Sequence, residues 1–149
     1  MSEVKHHCLI ACRSGNEFIV KCLIEHGADL NKERYDGETP LFIACENGSE
    51  FIVKYLIEYG ADVNKENKNG ETPLFNACKN GNESIVKYLI EHGANVNKKN
   101  NKGETPLFET CKSGNESIVE CLIEHGADVN KENNYGETPL LSTCESEGL

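Results

Sequence analysis

The sequence predicts an all-α repeat solenoid, and three observations carry that expectation. Gly37-Glu38-Thr39-Pro40-Leu41-Phe42 recurs unchanged at 70–75 and 103–108, and five of its six residues recur at 136–141. The spacing is 33 residues each time. The flanks repeat with it: a glycine at 48, 81 and 114, then Ile-Val, Leu-Ile-Glu and Gly-Ala-Asp-Val-Asn or a close variant. A fixed period of this length marks a tandem array, in which each unit touches mainly its neighbours and the core becomes a long strip.

The chain reads as one repeat domain, 1–149, divided into units 1–33, 34–66, 67–99 and 100–132 and a partial unit 133–149. The first unit lacks the hexapeptide; His6-His7-Cys8-Leu9 stands where Thr-Pro-Leu-Phe is expected. About two-thirds of positions agree between units 34–66 and 67–99. The last unit ends at Glu145-Ser146-Glu147-Gly148-Leu149, where a second helix should begin.

Each element of a unit has its own local cause. Thr72 suits an N-cap, and Pro73 suits the first helical position, where a missing N–H is harmless. Leu74, Phe75, Ala77 and Cys78 form one apolar helical face, and Gly81 ends this short helix in the left-handed conformation. Asn82 caps a second helix, with Glu83 in its first turn favoured by the dipole. Ile85, Val86, Tyr88, Leu89 and Ile90 cover more than half of that helix, which places it between neighbours. Gly93 closes it. The polar segment that follows ends elsewhere in Asp36-Gly37 and Asn69-Gly70, which are hairpin-turn dipeptides. The unit is therefore hairpin, short helix, turn, longer helix.

Composition narrows the function. The net charge of −10 disfavours a nucleic-acid surface, which needs clustered Lys and Arg, and mildly favours basic partners. No apolar run reaches the ~18 residues of a membrane span, and Met1–His7 carries no apolar leader, so secretion is unsupported. Eight cysteines would suggest a disulfide framework, yet Cys12, Cys45, Cys78, Cys111 and Cys144 occupy one site of successive units. Equivalent residues of packed helices lie roughly 10 Å apart. A disulfide needs Cα atoms within about 7 Å, so these read as buried thiols of a cytoplasmic or nuclear protein.

These residues resemble the ankyrin repeat: Thr-Pro-Leu after a hairpin glycine, Ala-Cys where the family has Ala-Ala, Gly-Ala-Asp-Val-Asn, and the period. The resemblance covers nearly the whole chain. Phe42, Phe75 and Phe108 depart from it, standing where the family usually has a histidine that hydrogen-bonds locally. The resemblance implies an ankyrin-type curved stack of antiparallel helix pairs with projecting β-hairpin loops, and a protein partner held on the concave side by hairpin tips and first helices.

Carried onto this chain, that surface comprises Arg34, Tyr35, Asp36, Lys68, Asn69, Asn101, Lys102, Asn134 and Tyr135 on the hairpins. On the first helices it comprises Arg13, Ser14, Ile43, Glu46, Asn47, Asn76, Lys79, Asn80, Glu109, Lys112 and Ser113. These positions vary while the scaffold does not, although drift of unconstrained surface residues would look the same. Tyr35 and Tyr135 stand out, because aromatic side chains are common interface anchors.

Other features have plainer readings. Glu17/Lys21, Glu50/Lys54 and Glu83/Lys87 form i,i+4 pairs of a solvated face, while Glu116 meets Glu120 instead. His26, His92 and His125 precede helix-ending glycines and suit a helix C-terminus. His7, Cys8, Cys12 and Cys22 form the one soft-ligand cluster, but its spacing matches no zinc pattern, so no metal and no cofactor is expected. Phe18 and Phe51 either bury against the helix pair, the favoured reading, or mark a small apolar patch near the N-terminal end. Asn31, Asn64, Asn97 and Asn130 read as structural hydrogen-bonding residues; the position is similar to a hydroxylation site in some ankyrin proteins, and Leu23, Asp29 and Leu30 before Asn31 fit that pattern.

Three functions compete. A protein-interaction module is the first. An enzyme needs unlike groups converging once, whereas nearly every polar residue here recurs every 33 positions. A spacer or regulatory segment of a larger protein is the third, kept open by Leu140, Leu141 and Cys144, which lack a covering helix. The chain is expected to be a monomer without catalytic residues.

Overall fold

The computed structural model describes residues 4–146, with side chains described from 7 to 144. Among these residues nine helices follow one another: α1 (Val4–Ser14), α2 (Glu17–Glu25), α3 (Pro40–Asn47), α4 (Glu50–Glu58), α5 (Pro73–Lys79), α6 (Glu83–Glu91), α7 (Pro106–Ser113), α8 (Glu116–Glu124) and α9 (Pro139–Ser146). The second helix of a fifth unit, expected near 147, lies outside the described residues. So do Met1–Glu3, on which the reading of an absent leader partly rests. No described helix is long and apolar enough to cross a membrane.

The helices start and stop where the local chemistry places them. Asn16, Asn82 and Asn115 each accept the N–H three residues on, from Ile19, Ile85 and Ile118, at 3.1 Å. Ser49, at the same place in its unit, makes no such bond. Proline opens α3, α5 and α7, and left-handed Gly48 (φ +68°) and Gly114 (φ +70°) end α3 and α7. The rings of His26, His92 and His125 each lie 2.6–2.8 Å from the carbonyl four residues back, joining the last turn as a C-terminal cap.

First helices pack on first helices in the order α1, α3, α5, α7, α9, and second helices in the order α2, α4, α6, α8. Within each unit the two layers face each other. The strip between them is filled by repeated positions: Leu41, Leu74 and Leu107; Ile52, Ile85 and Ile118; Leu56, Leu89 and Leu122; Phe42, Phe75 and Phe108. All are at most 2 % exposed. One unit alone has only half of these walls, so neighbours must stack for the apolar faces to leave water.

Two expectations about this scaffold need correction. Phe18 and Phe51 are 75 % and 44 % exposed. Neither belongs to the buried core, and Phe51 instead stacks on Tyr55 at 5.7 Å, which stacks on Tyr59 at 4.6 Å. Of the three expected helix ion pairs, Glu83–Lys87 closes at 2.6 Å. Lys21 reaches Glu25 instead, and Lys54 sits 5.5 Å from the Tyr88 ring of the next unit.

The projecting loops are tight turns, with no strand among the described residues. Gly37 N–H donates to the Arg34 carbonyl at 3.0 Å and Arg34 N–H to the Glu38 carbonyl at 2.9 Å. Among the described residues none other than glycine has a positive φ, so Asp36-Gly37 forms a type I turn followed by a left-handed glycine rather than the double left-handed turn its dipeptide suggests. Successive turns are joined: Lys68, Asn101 and Asn134 N–H groups donate to the carbonyls of Asp36, Asn69 and Lys102 at 2.8–2.9 Å.

Candidate protein-interaction face

The candidate surface is built by these turns together with the solvent side of the first helices. Each turn is braced from within. Asn67 Oδ1 accepts from the Asn69 and Glu71 N–H groups at 2.9 and 3.0 Å, and Asn67 Nδ2 donates to the Glu71 carboxylate at 3.2 Å. Asn100 with Glu104 and Asn133 with Glu137 repeat this arrangement. The glutamate that never varies after the turn glycine is thus a turn brace.

Arg34 occupies the brace position of its unit. Its guanidinium bonds Glu38 at 3.3 Å and Asp36 at 3.0 Å, and lies 5.1 Å from the Tyr35 ring while donating to the Tyr35 hydroxyl at 3.3 Å. Desolvation is the main cause that pushes the Glu38 carboxyl above its ordinary range, with Asp36 adding to it and Arg34 opposing it. Tyr35 is 79 % exposed on this fixed base, and Tyr135 is 76 % exposed at the other end of the row.

The remaining residues read from the sequence divide by environment. Arg13, Glu46, Lys68, Asn69, Lys79, Asn101, Lys102, Lys112 and Asn134 are exposed, and Asp36, Asn76 and Glu109 are half-buried. Ile43 differs from expectation: it is 1 % exposed, because α1 of the preceding unit covers it, and it shows only as a wall of a cavity of about 200 Å³ shared with Leu9, Ile10, Arg13 and Arg34. Asn101 and Asn134 also spend their side-chain amides on the carbonyls of Lys68 and Asn101, one turn back. Lys112 Nζ lies 3.0 Å from buried Glu104. Asn47 Nδ2 donates to both the Cys12 and Arg13 carbonyls at 2.9 Å, tying the end of one first helix to the next. Apart from the Lys112–Glu104 contact, which spans eight residues, these structural roles depend on contacts 33–35 residues away, which no local pattern announces.

The face differs electrically from the rest of the chain. It carries Arg13, Arg34, Lys68, Lys79, Lys102 and Lys112 against Asp36, Glu38, Glu46, Glu71, Glu104, Glu109 and Glu137, an excess of one negative charge. Nine of the ten excess negative charges therefore lie elsewhere.

Among the described residues no group of three His, Cys, Asp or Glu side chains could hold a metal ion. Cys8 and Cys12 are fully buried and free; their mutual hydrogen bond, and then burial, push the Cys12 thiol far above its usual range. Burial likewise pushes Cys78 up to about 12, which makes an inert thiol rather than a nucleophile. Asn31, Asn64 and Asn97 accept from the N–H of Asp62, Asn95 and Asp128 in the following unit at 2.8–2.9 Å, and Asn64 and Asn97 donate to the Gly93 and Gly126 carbonyls.

A family model described as ankyrin repeats (3 copies) matches residues 8–100, 61–133 and 96–148. The chain belongs to the ankyrin-repeat family. Ankyrin repeats generally serve as protein–protein interaction modules, a non-catalytic fold. A search of curated proteins finds no match to this chain.

Proposed function

We propose that this ankyrin-repeat chain is a protein-binding module that holds its partner along the row of turns and first helices, without catalysis. The observation that carries the reading is the pair of tyrosines at the turn tips, Tyr35 and Tyr135, three-quarters or more exposed on braced turns. A rigid, amphipathic ring held in place loses little conformational entropy on binding, which is why such residues serve as anchors. The near-neutral face around them supports a partner of mixed polarity, while the acidic remainder keeps the array soluble and repels acidic competitors. The free thiols, of which Cys111 is half-buried and Cys144 exposed rather than buried as the repeat suggests, fit a monomer working in a reducing compartment.

The test is affinity capture from extract of the protein's own cells, with the Tyr35→Ala, Lys68→Ala double variant as comparison. Loss of a saturable partner in the double variant is the expected result. Capture undiminished by the two substitutions would move the site elsewhere, and the absence of any saturable partner would favour a spacer.

A further inference from the structure

The outer side of α4 carries a stripe that no other second helix shares. Phe51, Tyr55 and Tyr59 stand four residues apart on one helical face and stack in series at 5.7 and 4.6 Å. At the same positions α6 has Ser84, Tyr88 and His92. Phe51 and Tyr59, at the two ends of the stack, are 44 % and 52 % exposed. α4 packs against α2 on one side and α6 on the other, so this surface lies inside the array and owes nothing to either end of the chain.

The surroundings of the rings are acidic. The four second helices together carry nine glutamates against three lysines, six of the ten excess negative charges of the chain. The Tyr55 hydroxyl donates to Glu25 of α2 at 3.1 Å, which sets the carboxylates of α2 along one flank of the stack. On the other flank Lys54 lies 5.5 Å from the Tyr88 ring of α6. Glu50, exposed beside Phe51, is thereby left without an ion pair, whereas Glu83 at the same place in α6 holds Lys87.

Rings beside carboxylates attract cations, and the chain answers such a place twice within itself. Lys54 covers Tyr88, and the Arg34 guanidinium lies over Tyr35 while bonding Asp36 and Glu38. The stack on α4 has no such cation among the described residues, because Lys21, placed on α2 as Lys54 is on α4, stays with Glu25 of its own helix. We propose that this surface docks an arginine-bearing segment of a basic protein partner, whose guanidinium planes lie on Phe51 and Tyr59 and bond Glu50 and the carboxylates of α2. Arginine suits the place better than lysine, since its flat, weakly hydrated fork can cover a ring and bond a carboxylate at once. Phe51 and Tyr59 are about 12 Å apart along the helix. An extended segment spans that with arginines about four residues apart.

The probe is a fluorescent glycine–serine peptide bearing two arginines four residues apart, titrated by anisotropy into the full chain beside a lysine peptide of equal charge. Saturable binding is expected, several-fold tighter for the arginine peptide. The Phe51→Ser, Tyr59→His variant gives α4 the residues that α6 already carries at Ser84 and His92, so the fold accommodates it. It should weaken binding about fivefold or more and remove the preference for arginine. The Tyr35→Ala, Lys68→Ala variant should bind the peptide unchanged, which keeps this surface separate from the turn face. No saturable binding, equal binding of the two peptides, or undiminished binding by the Phe51→Ser, Tyr59→His variant overturns the inference. Binding lost in the Tyr35→Ala, Lys68→Ala variant assigns the peptide to the turn face and equally overturns it.

Discussion

Asn101 is bonded to Lys68 across one repeat, its side-chain amide donating to the Lys68 carbonyl at 2.8 Å while its own N–H reaches the neighbouring Asn69 carbonyl at 2.8 Å. The turns thus form a second spine beside the helical core. Several consequences can be measured.

The close approach of successive turns depends on glycine. A Cβ on Gly103 would meet Asn134 Oδ1 at 2.5 Å and its backbone N at 2.8 Å, whereas a Cβ on Gly136 meets nothing within 4 Å. Both have φ +76°, so the left-handed strain of about 1 kcal/mol is common to the two. Gly103→Ala should lose at least about 2 kcal/mol in urea unfolding, since overpacking adds to the strain, and Gly136→Ala about 1 kcal/mol. Equal losses would mean that the turn contact contributes nothing.

Thr72 Oγ1 is buried without a hydrogen-bond partner, and the Phe75 N–H goes to the Thr72 carbonyl at 3.0 Å instead. Phe75 is apolar where the family usually offers a histidine. An N-cap threonine ordinarily contributes about 1 kcal/mol, while an orphaned buried hydroxyl costs about 1–3 kcal/mol. Here the cap bond is not made, so Thr72→Val loses no cap and removes an orphaned hydroxyl; it should leave stability unchanged or raise it by about 1 kcal/mol or more. A loss of 1 kcal/mol or more would show the hydroxyl to be bonded after all.

Glu38 gives a pH signature. Its carboxyl is raised in the folded chain, mainly by burial, so the folded state holds the proton more tightly than the unfolded one. Stability contributed at this site is present below the ordinary glutamate range and falls as pH rises through the raised value. Glu38→Gln, which keeps an acceptor for Arg34, should be more stable than the parent at pH 7 and equal to it near pH 3. A variant less stable at pH 7 would show that the Arg34 attraction outweighs desolvation.

The architecture was legible because its causes are local. The period, the Asn16, Asn82 and Asn115 caps and the glycine stops all act within one turn of helix. What stayed hidden acts between units. Nothing near Asn47 in the chain reveals that it ties off the Cys12 and Arg13 carbonyls, and nothing near Lys54 reveals the Tyr88 ring that draws it from Glu50. Arg34 looked like a free contact residue because its role as a brace shows only beside Asn67, Asn100 and Asn133 in the folded row. Phe18 and Phe51 were open to two readings, burial or a small apolar patch, and the folded chain exposes both rings.

The spine of turns also governs how such a gene can change. A copied block of 33 codons delivers a new turn whose N–H finds a waiting carbonyl and whose own carbonyl awaits the next, so growth by whole blocks leaves every joint intact. A single inserted codon within a turn breaks the register on both sides at once.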